Sequence, residues 1–278
     1  MVYAFEPLPD NIVLIKRNFK NSGYKGLFLS EVCLSDSVSF ATFNVSSREP
    51  DSVKLSDYTE LSYWHKSSSL LAPGAIEDHY IWLEFEKKIQ VSTTTLDLYC
   101  KEKNVSYIDF IHMDVQGAEL MVLIGASAHM NSIDIIWMEV SSVDIYKDQP
   151  LKREVNDYMK SFGYFKALDI GDYVTGDELW IRKAYMDSLP QETQRVLKSE
   201  HVKSSISFRI NSIISSSRKY LSKKKADSRE LYEVGIKSTQ LFNITLEILR
   251  NLIPQYVVSL LSSLRTHART KANLLASN

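Results

Sequence analysis

The sequence predicts an α/β protein built on a mostly parallel sheet covered by helices, with a terminal antiparallel hairpin. Three observations predict it. The run from Ile108 to Met113 is short, apolar and β-rich, the pattern of a strand buried on both faces. It stops at Asp114, Gly117 permits a sharp turn, and Leu120, Met121, Leu123 and Ile124 then follow at helical spacing over 118–126. Strand and helix patterns alternate in the same way before and after this stretch, which requires crossover connections. A carboxylate delivered to the end of a strand, just before a helix opens, lies where open α/β sheets place their ligands.

In chain order, Val2 to Phe5 reads as a strand ending at Glu6. Pro7 and Pro9 punctuate a turn, and Asp10 can cap a helix that carries Ile12, Ile15 and Phe19 on one face and closes near Gly23. Leu27 to Leu34 reads as a second strand, and Val38, Phe40 and Phe43 as a third in a hairpin with it. The stretch from Ser46 to Pro73 is rich in Ser, Asp and Glu with scattered apolar residues, a long surface excursion. Tyr80 to Phe85 and Ile89 to Val91 are strand-like, and a threonine among Thr93–Thr95 caps a helix with Asp97 in its first turn. Beyond the central stretch come a buried strand from Ile133 to Val140, with Glu139 near its end, and an amphipathic helix from Leu151 to Phe162 stopped by Gly163. Strands from Tyr164 to Leu168 and Glu178 to Arg182 close the pattern.

A 44% hydrophobic and 24% charged composition is that of an ordinary globular protein. The net charge of -1 conceals an asymmetry. From Pro190 onward there are 15 Lys+Arg against 6 Asp+Glu, and before it 18 against 28. An acidic body and a basic tail imply different partners. Cys33 and Cys100 lack metal-ligand spacing and read as reduced core residues, and neither a signal peptide nor a membrane-spanning apolar run is visible, so a cytoplasmic location is expected.

Five motifs in order, Val2-Tyr-Ala-Phe-Glu-Pro-Leu-Pro9, Leu34-Ser-Asp36, Thr94-Thr-Leu-Asp97, Ile111-His-Met-Asp-Val-Gln-Gly-Ala-Glu119 and Ile135-Ile-Trp-Met-Glu139, resemble the FkbM-type methyltransferases. The resemblance runs over residues 2 to 183 and implies a Rossmann-like class I methyltransferase sheet using S-adenosylmethionine for O-methylation of a sugar, glycan or small natural product. It implies that Glu6 and Pro7 lie at the cofactor ribose, Asp36 at its adenine side and Asp114 at its methyl end. Asp114 is the expected catalytic carboxylate, with Glu119 sharing that work or else stabilising a helix dipole. Asp36 reads equally as an Asx turn. Glu139 is a substrate contact or a backbone hydrogen-bond acceptor. Ser68, in the run Ser67–Leu70, matches a family loop near the pocket. Gln116 stands where the family often has glutamate, and His112 reads as a satisfied core histidine.

The family's strand and Asp-x-Gly-x-x-x-Gly loop would precede Val2 and are absent, and no G-x-G pair occurs. The expectation is therefore a sheet lacking its first strand, with a gap and two exposed edges, in a fragment or a degenerate member with impaired methyl transfer. The expected division is 1–187, the methyltransferase-like domain truncated at its N-terminus, and 188–278, a basic, Ser-rich, mainly helical extension. Leu241, Ile244, Ile248 and Leu252 form an apolar stripe there, beside the cluster Arg218 to Lys225. Residues 204–264 suit self-association or an anionic membrane surface, which makes a peripheral membrane protein or a non-catalytic interaction scaffold the rival reading. Sparse aromatics there weigh against nucleic acid.

Overall fold

The computed structural model describes residues 1–47, 67–76, 83–171 and 174–198. The expected Ser-rich and helical tail, its membrane or self-association contacts over 204–264, most of the 46–73 excursion and the start of the strand expected from Tyr80 lie outside the described residues.

The elements are β1 (Val2–Phe5), α1 (Pro9–Ser22), β2 (Leu27–Ser30), β3 (Cys33–Leu34), β4 (Ser39–Ser47), β5 (Glu84–Thr94), α2 (Leu96–Lys103), β6 (Ile108–Met113), α3 (Glu119–Ile124), β7 (Ile133–Ser141), α4 (Lys152–Ser161), β8 (Tyr164–Gly171), β9 (Thr175–Arg182), α5 (Lys183–Ser188) and α6 (Gln191–Lys198). They form mixed sheets with helices, in the orders β1-β2, β3-β5-β4 and β6-β7-β9-β8. Parallel pairs (β1/β2, β3/β5, β6/β7) and antiparallel pairs (β4/β5, β7/β9, β8/β9) are equal in number among the described strands. The expected mostly parallel sheet is thus corrected to a mixed arrangement, while the terminal antiparallel hairpin is present as β8 and β9.

Helix α1 starts at Pro9, whose fixed φ suits a first helical position, so Asp10 lies in the first turn and Leu8 is the cap. Gly23 ends it at φ 72°, a left-handed cap that glycine adopts without steric cost. Thr95 caps α2 by accepting from the Leu98 amide at 3.1 Å. The single strand expected over Leu27–Leu34 is two, because β2 pairs with β1 whereas β3 pairs with β5. Nor does Phe40 form a hairpin with its predecessor. β4 runs antiparallel to β5, which lies between β3 and β4.

The main core lies on one face of β6 and β7. Met113, Ile136, Met138 and Val140 pack there with Val122 and Leu123 of α3 and Val155 and Met159 of α4. Strand side chains alternate between faces, so His112, between the core residues Ile111 and Met113, points the other way and is exposed. The core-histidine expectation is therefore overturned. Cys33 and Cys100 are free, buried thiols, as expected. Among the described strands, β1 pairs only with β2 and β6 only with β7, so each keeps one unpaired edge. Both flank α2, where Phe5 meets the Tyr99 ring edge-on at 4.6 Å and Ile111 joins the cluster around Cys100. Among the described residues, no helix is long and apolar enough to cross a membrane.

Candidate active site

The site is built on the turn between β6 and α3. Met113 is buried in the core and anchors the strand end, which leaves Asp114 exposed as the next residue. Gln116 and Gly117 then both take positive φ, 53° and 94°, and reverse the chain. A side chain at Gly117 would press on Tyr146, Gln149 and Leu71, so glycine serves both the conformation and the close approach.

Glu119 opens α3 yet is only 3% exposed. One of its oxygens, Oε1, accepts from the Val115 amide at 3.3 Å and the Gly117 amide at 3.2 Å, bracing the turn from within. Burial pushes its carboxyl up to about 7, opposed by these backbone amides and aided by the Asp114 charge. This geometry makes Glu119 a brace for the loop that carries Asp114.

The Gln116 carboxamide joins the carboxylates. Its Nε2 donates to Asp114 Oδ1 at 2.6 Å and to Glu139 Oε2 at 3.0 Å. Its Oε1 accepts from the Tyr146 hydroxyl at 2.9 Å. Glu139 is partly buried on β7, and Asp177 of β9 is its cross-strand partner. Burial raises the Glu139 carboxyl well above the ordinary carboxylate range, and the charges of Asp114, Asp177 and Glu119 raise it further. Asp177 is raised chiefly by burial and also by Asp114, while the Trp137 Nε1–H, which donates to it at 3.1 Å, and His112 pull it down. Asp114, Glu139 and Asp177 thus form an electronegative patch at the ends of neighbouring strands. A narrow cleft beside it is lined by Gln116, Glu139, Ser141, Tyr146, Gln149 and Thr175.

The segment at residues 67–73 straps this site to β4. Ser68 is buried, and its Oγ accepts from the Ser46 amide at 2.9 Å, so its hydroxyl holds β4 instead of facing the carboxylates. Its neighbour Ser69 reaches the site, donating to the Gln116 carbonyl at 2.7 Å. Glu6 follows β1 and accepts from the Leu8 amide at 2.9 Å and Asn11 Nδ2 at 3.2 Å, with Pro7 holding the bend between them. Asp36 is exposed in a turn after β3 and accepts from Ser37 Oγ at 3.0 Å and Ser35 Oγ at 3.3 Å. That turn rests on the end of α3, where a Cβ on Gly125 would lie 2.0 Å from the Ser35 carbonyl oxygen.

The structure therefore gathers Asp114, Glu119 and Glu139 around one loop and holds Glu6 and Asp36 at the β1 and β3 ends. Sequence reasoning missed Asp177 and Tyr146, and within the run Ser67–Leu70 it named Ser68 where Ser69 reaches the site loop. Asp177 falls just before the strand expected from Glu178, whereas β9 begins at Thr175, and Tyr146 lies in a loop with no periodic signal. A wider depression, lined by Asp97, Lys101, Asn104 and His129 among others, shares none of these residues. Its Asp97 is engaged by His129 Nδ1 at 2.7 Å and the Ala128 amide at 2.9 Å.

Mixed sheets with helices are consistent with an α/β methyltransferase fold, and comparison with known proteins gives the family. The methyltransferase FkbM domain matches residues 1–166. The 2-O-methyltransferase NoeI of Sinorhizobium fredii (strain NBRC 101917 / NGR234) is 30% identical over 178 residues, which span 64% of this chain and 68% of that protein. No solved structure matches significantly. The chain belongs to the FkbM methyltransferase family.

Proposed function

We propose that the protein methylates a hydroxyl of a sugar, glycan or small natural product, using S-adenosylmethionine on a Rossmann-like sheet, with Asp114 as the carboxylate that receives the hydroxyl proton. One observation carries this reading: Asp114 is exposed just past the end of β6, yet oriented by Gln116 Nε2 at 2.6 Å. A fixed, accessible carboxylate at a strand end is what alignment of an attacking hydroxyl requires. The name of the relative NoeI, a 2-O-methyltransferase, supports a hydroxyl as acceptor.

The residues present fit S-adenosylmethionine by their donor chemistry. Glu6, held by Leu8 and Asn11, supplies a strand-end carboxylate for ribose hydroxyls, with Pro7 fixing its approach. Asp36 offers an acceptor on the adenine side, and Asp114 serves the methyl end. When bound, S-adenosylmethionine supplies an activated methyl group on a sulfonium sulfur. Asp114 hydrogen-bonds the acceptor hydroxyl, aims its oxygen and takes its proton as the oxygen becomes nucleophilic. Glu139, joined to Asp114 through Gln116, borders the adjacent cleft and contacts the acceptor beside that hydroxyl.

The test combines calorimetric titration of the 278-residue chain with S-adenosylhomocysteine and transfer of labelled methyl from S-adenosylmethionine to a panel of glycosides. Asp114→Asn should keep S-adenosylhomocysteine affinity within about threefold and lower turnover by about 10²–10⁴-fold, the span of a positioned acid or base. Glu6→Ala should weaken S-adenosylhomocysteine binding. Full turnover in Asp114→Asn would refute the assignment. Absence of S-adenosylhomocysteine binding both by this chain and by a version extended upstream with the family's strand and Gly-rich loop would refute the cofactor and favour the interaction scaffold.

A further inference from the structure

We propose that Gln116 is a positioning residue that yokes Asp114 and Glu139 into one hydrogen-bonded unit and fixes the face Asp114 presents to the acceptor hydroxyl. The inference rests on the methyl-transfer reading and adds to it the means by which the carboxylate is aimed.

The geometry is over-determined at Gln116. A carboxamide nitrogen has two hydrogens. Here one points to Asp114 Oδ1 at 2.6 Å and the other to Glu139 Oε2 at 3.0 Å. The carboxamide oxygen faces the hydroxyl of Tyr146, a fully buried side chain whose single hydrogen is shared between that oxygen at 2.9 Å and the Ser67 carbonyl at 2.8 Å. Rotating the amide by half a turn would oppose oxygen to two carboxylates, so a single orientation survives. The backbone is fixed as well. Gln116 holds φ 53°, uncommon for a residue with a side chain, and Ser69 Oγ donates to its carbonyl at 2.7 Å. The β6–α3 turn, β7 and the loop after β7 therefore converge on one neutral side chain, and Ser69 holds its backbone.

In this chain a neutral donor suits the position. Glu139 already lies in electrostatic reach of Asp114, Asp177 and Glu119, with His112 opposing at Asp177. A glutamate at 116 would insert a fifth carboxyl between two that now share an amide donor, and one of the three would have to hold a proton. The amide separates the pair without adding charge. It leaves the exposed Asp114 as the group that meets the acceptor and Glu139 as the partly buried member, which burial and its neighbours keep protonated further into the neutral range.

The test follows the carboxyl carbons by NMR in protein carrying ¹³C at Asp Cγ and Glu Cδ, titrated from acid to alkaline pH. Loss of the amide donor removes a hydrogen bond that favours ionised Glu139, so Gln116→Leu should move the Glu139 midpoint up by about one pH unit. Tyr146→Phe leaves both amide donors in place but frees the carboxamide oxygen, and should move the midpoint in the same direction by less. Gln116→Glu should raise the Glu139 midpoint as well, by adding a carboxylate beside it. A Glu139 midpoint that stays put in Gln116→Leu, with wild-type circular dichroism, would overturn the proposal. If Gln116→Leu does not fold, Tyr146→Phe decides, and an unmoved midpoint there is equally fatal. Titration with S-adenosylhomocysteine reads the methyl-transfer assignment separately: binding with an unmoved Glu139 overturns the yoke alone, whereas a moving Glu139 without binding points to failure of the cofactor assignment.

Discussion

Replacing Glu119 by glutamine should flatten part of the protein's pH-dependent stability. The carboxyl of Glu119 is buried and goes from its ordinary 4.5 up to about 7 in the folded state. The folded protein therefore holds this proton more tightly than the unfolded chain does. Its contribution is fully present below about 4.5 and is lost as pH rises through about 7. At about 1.4 kcal/mol per pH unit, the full difference amounts to about 3 kcal/mol, of which about 2–3 kcal/mol falls between pH 5 and pH 8. Both amide contacts from the turn reach a single oxygen, Oε1, which a glutamine retains. Glu119→Gln should thus preserve the turn while removing the cost of ionisation. Urea denaturation at pH 5 and pH 8 should show the variant gaining about 2–3 kcal/mol relative to wild type at the higher pH. Glu139 also feels the Glu119 charge, so its proton loosens in the variant and adds in the same direction. Parallel pH dependence in the two proteins would refute the argument, since it would mean that Glu119 is solvated as an ordinary carboxylate.

Three further outcomes follow from packing and charge. Gly125→Ala would place a methyl group 2.0 Å from the Ser35 carbonyl oxygen, a backbone atom that cannot move alone; thermal denaturation should show a loss of about 2–3 kcal/mol, and S-adenosylhomocysteine affinity should fall because the Asp36 turn is displaced. Asp134→Ala removes the partner of Arg182 Nη2, now 2.6 Å away, and of the Tyr107 hydroxyl, leaving a largely buried guanidinium uncompensated; chemical denaturation should register about 3–5 kcal/mol of destabilisation, with the remote Asp114 site unaffected once folded. Cys33 and Cys100 are buried, with thiols pushed up by burial to about 12 and about 11, so neither should react with a thiol reagent at neutral pH until denaturant is added. Rapid labelling of either in native buffer would contradict the packing of β3 or α2.

Much of the local structure was legible because it depends on neighbours in sequence. Hydrophobic period and stop residues located β6, β7 and α4, Gly23 and Gly163 marked helix ends, and a threonine marked the start of α2. These signals are set by backbone sterics and side-chain spacing, which a linear reading contains. His112 failed for an instructive reason. Apolar neighbours on both sides suggested burial, but alternation in a strand sends the middle residue to the opposite face, and whether that face is covered depends on what packs there.

The sequence by itself determined the alternation of strands and helices around β6, the family motifs, and the carboxylate at the end of β6. Only the tertiary structure decided that β5 lies between β3 and β4, that Ser69 rather than Ser68 touches the site loop, and that Glu119 turns inward as a brace. It also decided the role of Gln116, whose amide is defined by Asp114, Glu139 and Tyr146 from three different segments. The division has one physical cause. Helices, turns and caps are fixed by contacts a few residues apart, whereas pairing partners, burial of a charge and the company of an amide depend on chain segments that folding alone brings together.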